Sequence, residues 1–207
     1  MSEIKVNKIS PVSDSGTITL GDSGDTFTVP SGATITNSGT ATGFGGGGKI
    51  GQVRSTTKTD TWTEAGIASG SFSSIVTGLT VDITPSATSS KILIIVNGVL
   101  SAGSGAQNVG FGLFRDSTQI DLGDASSSNP RMSKGKINTV STGYPEYMST
   151  NFRDEPNSTS QITYGVKTQC SSSSSKTHYV NRSYDDTSNA YSSGRSTSTI
   201  TAMEILA

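Results

Sequence analysis

The dipeptide Ser-Gly recurs near the start of the chain at Ser15-Gly16, Ser23-Gly24 and Ser31-Gly32, and once more, a residue early, at Ser38-Gly39. Between these pairs lie the short alternations Thr17-Ile18-Thr19-Leu20, Thr26-Phe27-Thr28-Val29 and Thr34-Ile35-Thr36. Apolar residues alternating with β-branched polar ones carry the period-2 signature of half-buried strands. Each unit offers about two apolar side chains, too few for a core of its own, and repeats this small persist by stacking on copies of themselves. The front of the chain therefore reads as a thin β-structured shaft built by several chains together. Leu20, Phe27, Val29 and Ile35 are the side chains expected to line its axis, with glycines at the tight turns.

The rest of the sequence is lean in large apolar residues. Leu, Ile, Val and Phe make about 20% of the 207 residues, at the border where a chain stays unfolded. Disorder also needs high net charge, and the formal charge is −1, so an ordered all-β protein that buries further area between subunits is the expectation. A balance this neutral gives no electrostatic case for nucleic acid or for an anionic membrane. The N-terminal Met1-Ser2-Glu3-Ile4-Lys5 lacks the apolar core of a signal peptide, and the longest apolar run, residues 92–96, is too short to insert in a bilayer. Synthesis in a cytoplasm without secretion is expected. The sequons at Asn157 and Asn181 are then chance matches.

The chain divides by composition into an N-terminal docking and shaft segment (1–42), a Gly-rich linker (43–48) and a C-terminal domain (49–207). Strands are expected at 49–55, 71–83, 91–101, 108–115, 161–169, 177–182 and 196–206, with almost no helix. Seven strands over this length fit a jelly-roll-like β-sandwich. The run Ile92-Leu93-Ile94-Ile95-Val96 reads as a central strand buried on both faces. Residues 124–160, interrupted by Pro130, Pro145 and Pro156, read as long loops over one end of the sandwich.

Motifs that carry chemistry are sparse. Gly43 to Lys49 imitates a phosphate-cradling loop, but Ile50 stands where Ser or Thr must hold magnesium, and a strand follows instead of a helix. The single histidine, His178, and the single cysteine, Cys170, form no metal set, and a lone Cys in a β-domain is usually a small buried hydrophobe. No serine sits in a G-x-S-x-G elbow. Asp116, Asp121, Asp124, Asp185 and Asp186 lack calcium-loop spacing and read as turn residues. No catalytic residue, cofactor or metal is expected. Exposed tyrosines give contact area at low entropy cost, which makes Tyr144, Tyr147, Tyr184 and Tyr191 the candidates for surface recognition. Trp62 is read as packing.

Two stretches add a resemblance. Ile4-Lys5-Val6-Asn7-Lys8-Ile9-Ser10-Pro11 and the block from Thr19 to Ile35 resemble the N-terminal segment of virion structural proteins of tailed phages of marine bacteria. Residues 83–93 and 196–204 resemble their C-terminal β-domain. The resemblance implies a homotrimer located in the virion, assembled in the host bacterial cytoplasm and attached through its N-terminal segment to other tail or capsid proteins. Its roles would be those of a tail fibre contacting a host surface glycan or protein, or of a head fibre or decoration (cement) protein. A small polysaccharide depolymerase is the enzymatic alternative.

Overall fold

The computed structural model describes residues 9–11, 16–34, 36, 49–127, 129–137, 145–186 and 194–206. The chain splits into two compact units, Met1–Phe44 and Gly45–Ala207.

In the first unit the expected strands are absent among the described residues. Residues 16–34 form extended chain broken by two turns. In each turn one amide donates back three residues, Asp25 N to the Asp22 carbonyl and Ala33 N to the Pro30 carbonyl, both at 3.1 Å. The third residue of each turn is the glycine of a Ser-Gly pair, with φ of +96° at Gly24 and +85° at Gly32. A side chain there would be strained by the backbone alone, since a Cβ would touch nothing at either position. At these two pairs the Ser-Gly repeat is thus a turn repeat. Among the described residues, no strand stands beside the intervening alternations to complete their hydrogen bonds.

The second unit is all-β, with eleven strands and, among the described residues, no helix long and apolar enough to cross a membrane. They are β1 (Ile50–Lys58), β2 (Trp62–Ile67), β3 (Thr80–Ile83), β4 (Lys91–Ala102), β5 (Asn108–Arg115), β6 (Thr118–Ile120), β7 (Lys134–Ile137), β8 (Glu146–Asp154), β9 (Ile162–Ser171), β10 (Lys176–Val180) and β11 (Ser198–Ile205). A six-stranded antiparallel sheet runs β1-β11-β4-β10-β2, and β8 pairs along β4 from Ile92 to Leu100. The second, five-stranded sheet runs β3-β9-β5-β6, with β7 also on β5. The core between the sheets is an apolar cluster built on Ile92, Ile94, Val96, Phe111, Leu113, Tyr164, Val166 and Ile200. Each such side chain contributes roughly 1.5–3 kcal/mol by leaving water.

Several expectations change here. Residues 124–160 are not one set of loops: they contain β7 and β8. Pro145 and Pro156 flank β8 instead of interrupting it, a position where a missing N–H costs nothing. The expected strand 71–83 shrinks to Thr80–Ile83, preceded by a loop that follows β9 through an isolated bridge, Phe72 to Gln169, and through the Ser73 and Val76 amides, which donate to the Thr168 and Val166 carbonyls at 2.9 Å. Strand β2 was hidden by its mixed composition; Trp62 opens it and packs, half-buried, against the core.

Candidate functional site

By its sequence strand β4 should be buried on both faces; the structure buries one fully and the other by half. Ile92, Ile94 and Val96 are fully buried, whereas Leu93 and Ile95 lie half-buried on the outward face of the six-stranded sheet. Register extends that face sideways. Leu93 stands beside Met203 of β11, which stands beside Val53 of β1; Ile95 stands beside Thr201, which stands beside Ser55. A 2.8 Å hydrogen bond between the Ser55 and Thr201 hydroxyls confirms that these side chains share one side. On the other flank, β8 presents Tyr147, Ser149, Asn151 and Arg153 outward and buries Met148, Thr150 and Asp154.

Tyr147 is the most exposed large hydrophobic side chain described, at 80%. It projects from a strand, not from a loop as expected, because Met148 and Thr150 fix the phase of β8 by pointing inward. An open groove of about 180 Å³ runs beside it, lined by Asn97, Gly98, Val99, Met148, Ser149 and Thr197. An aromatic face with an amide and two hydroxyls, and no charge, suits a neutral polyhydroxylated ligand. Tyr184 lies in the segment after β10, 40% exposed, with its ring edge-on to Tyr179 at 6.3 Å. It is part of a packed pair and does not reach the groove. Tyr144 and Tyr191 lie outside the described residues. A wider open groove of about 310 Å³ lies along β5 and β7 between Asn108, Asp124, Arg131 and Lys134. Part of its wall is already engaged, since Arg131 Nε donates to the Gly123 carbonyl at 2.6 Å.

Among the axis candidates, Leu20, Phe27 and Val29 are all exposed, Phe27 by 70%. Every described residue from 16 to 34 is exposed. Ile35 lies outside the described residues.

The fold also assembles polar groups that no local motif announced. Cys170 on β9 and His178 on β10 belong to different sheets and meet inside the sandwich: His178 Nε2 is 3.0 Å from the Cys170 sulfur, and Nδ1 is 2.7 Å from the Thr168 hydroxyl. The relay has the outline of an activated nucleophile but the wrong electrostatics. Burial pushes the thiol up to about 11 and the imidazole down to about 4, a shift the neighbouring Glu64 carboxylate opposes. Both shifts favour the neutral thiol and neutral ring over a thiolate–imidazolium pair. Cys170 is a buried packing residue with a hydrogen-bonded sulfur.

Glu204 of β11 is buried, and its carboxylate accepts four hydrogen bonds: Ser86 N and Oγ at 2.6 Å each, Ser90 Oγ at 2.7 Å and Gln52 Nε2 at 2.8 Å. Burial alone would raise its pKa; the donors from Ser86, Gln52 and Ser90 outweigh it and hold the group at about 2. Across the sandwich, Arg115 grips both oxygens of Asp154 at 2.9 and 3.0 Å, and the Tyr164 hydroxyl donates to the same carboxylate at 2.6 Å. Burial, then that carboxylate, raise the Tyr164 phenol pKa. Asn181 is completely buried at φ +62°. Its amide donates to the Lys58 and Asp60 carbonyls at 2.9 Å and its oxygen accepts the Ser198 hydroxyl at 2.6 Å. The sequon at Asn181 is therefore closed to modification.

Four of the five aspartates weighed in the sequence already have partners. Asp116 caps the Thr163 amide, Asp121 accepts the Thr150 hydroxyl, Asp124 accepts the Ala125 amide, and Asp186 pairs with Arg195 and Arg182. No protein-family model matches the chain, and a search of curated proteins found no match.

Proposed function

We propose that this chain is a non-enzymatic virion structural protein of a tailed phage: a short homotrimeric fibre, docked through its N-terminal segment, whose C-terminal jelly-roll-like domain faces outward and recognises a host surface. The observation that carries this reading is the N-terminal segment. It displays Ile18, Leu20, Phe27 and Val29 to solvent and places the same glycine turn at a fixed spacing. A segment that buries nothing gains nothing by being regular, unless neighbouring copies supply both strand edges and apolar cover. The resemblance of the opening residues and of the block from Thr19 to Ile35 to phage virion proteins supports the setting. The uncharged Tyr147 groove supports a surface glycan as the target, and the buried Cys170–His178 pair, a neutral thiol against a neutral ring, agrees with a role without covalent chemistry.

Sedimentation of the full chain tests the assembly, with three chain masses expected. Phe27→Asp together with Val29→Asp places like charges on the axis and should lower that mass while the C-terminal domain keeps its β-sheet circular dichroism. An unchanged mass for the double variant refutes the axis assignment. Antibody labelling of particles should mark the tail; label confined to the capsid replaces host recognition with decoration of the shell.

A further inference from the structure

The Tyr147 groove opens onto polar side chains that the fold leaves unused. By register Ser149 of β8, Asn97 of β4, Thr199 of β11 and Thr57 of β1 stand side by side on one face of the six-stranded sheet, one per strand. Among the described residues none of these four side chains, nor that of Thr197 in the groove wall, has a hydrogen-bond partner. Two residues along the same strands, by contrast, the Ser55 and Thr201 hydroxyls bond each other at 2.8 Å. We propose that the groove holds one neutral pyranose ring of an oligosaccharide, with Tyr147 as the stacking surface and Asn97 as the residue that selects the sugar. This inference rests on the host-surface glycan proposed above, and it names the chemical class of that glycan and the groups that read it.

Shape fits a single ring. Strands β8 and β11 flank β4, so Tyr147 on one bank and Thr197, just before β11, on the other stand two strand spacings apart, ~10 Å. Gly98 and the buried Val99 form the floor between them. A pyranose lying there turns its C–H face to the tyrosine ring and its hydroxyls to the row. The Asn97 amide offers an acceptor and a donor in one plane, which two adjacent sugar hydroxyls complete, and the Ser149 and Thr197 hydroxyls can each donate or accept. Beyond the groove the polar groups at Thr199 and Thr57 repeat every ~4.8 Å, close to the advance per ring of an extended pyranose chain. Charge sets the class. On this face the charged side chains of the four strands are Lys91 and Arg153, ~13–20 Å along the strands from the row, and both pair with Glu155 at 3.0 and 3.3 Å. Glu146, next to Tyr147, stands beside Leu100 and so belongs to the opposite face. Arg182 and Arg195, in the segments after β10 and before β11, both pair with Asp186 at 3.4 and 2.6 Å. A sugar carboxylate in the groove would lose water and meet no unpaired cation, whereas a hydroxyl finds open donors and acceptors.

The labelled full-length protein is applied to an array carrying neutral hexose and N-acetylhexosamine oligosaccharides beside hexuronate- and sialate-containing ones, and bound sugars are titrated by saturation-transfer NMR. The wild type should bind members of the neutral set, without loss as salt is raised, and should leave the acidic set empty. Tyr147→Ala and Asn97→Ala should each weaken the titrated sugar about tenfold or more, while Tyr147→Phe, which keeps the ring, should stay within about threefold of the wild type. Both positions are exposed, so circular dichroism should not change. Should a variant misfold, the wild type decides alone: irradiating its tyrosine ring protons should saturate the C–H protons of the bound sugar, and no transfer overturns the stacking. A sugar held equally well by both alanine variants, or binding confined to the acidic set, overturns this subsite and leaves host-glycan recognition standing. No binding to either set overturns both.

Discussion

Glu204 gives the sharpest quantitative test of the fold. In Glu204→Gln the side chain keeps its shape and loses its charge. A glutamine oxygen can still accept from Ser86 and Ser90, but its NH₂ then faces the Gln52 amide. Gln52 cannot turn over to suit it, because the same Nε2 also donates to the Thr84 carbonyl at 2.7 Å. The magnitude follows from the carboxylate, which sits at about 2 in the fold against an ordinary value of 4.5. A depression of that size corresponds to ~3 kcal/mol of folding stability. The sign is that of a lowered acid: the contribution is complete above the unfolded-state value and is lost as pH falls from about 4.5 through about 2. The variant should therefore be less stable than the wild type by about 2–3 kcal/mol at pH 7, since charge-assisted bonds are replaced by weaker neutral ones. Most of that gap should close by pH 2. His178, depressed to about 4 from 6.5, adds an earlier acid loss to both proteins, and the difference between them removes it. Urea unfolding followed by circular dichroism at pH 7, 5, 3 and 2, at one protein concentration, reads the gap directly. Equal stabilities at pH 7, or a gap that stays constant down to pH 2, would refute the account of the four-donor carboxylate.

Two further outcomes are expected. Asn181→Ala leaves the Lys58 and Asp60 carbonyls and the Ser198 hydroxyl without their buried partner and puts Ala at a positive φ, so urea unfolding should show a loss of about 2–4 kcal/mol; a loss below 1 kcal/mol means that water replaces the amide. The Cys170 thiol should resist a chromogenic disulfide reagent in the native protein at pH 8 and react fully in urea, and rapid native labelling would show that the relay with His178 opens to solvent.

The sequence was most readable where one face of a strand is apolar and the other is not. Strand β5 falls on its expected bounds, 108–115, because Val109, Phe111 and Leu113 keep phase through a run that both neighbours cover. Strand β8 was unreadable for the converse reason. Its inward residues include Thr150 and Asp154, which satisfy themselves on Asp121 and on Arg115 with Tyr164, so the alternation is polar on both sides and the prolines at its ends read as breaks. The apolar run at Ile92–Val96 was visible, and its reading as buried on both faces held for Ile92, Ile94 and Val96 and failed for Leu93 and Ile95, which are half-buried on the outward face. At the candidate site Tyr147 could be named from sequence as an exposed aromatic, but its companions Asn97 and Thr197 come from two other segments and no spacing links them. The same holds for the pair Cys170 and His178, which lie on strands of opposite sheets, and for Glu204, whose donors sit more than a hundred residues away in the chain.

The two glycine turns at Gly24 and Gly32 are eight residues apart, and neither glycine is held in place by anything a Cβ would strike. Their geometry is set by the turn residues themselves and not by a surrounding scaffold. Duplicating or deleting one such octet therefore shifts no side chain out of phase with the rest of the segment.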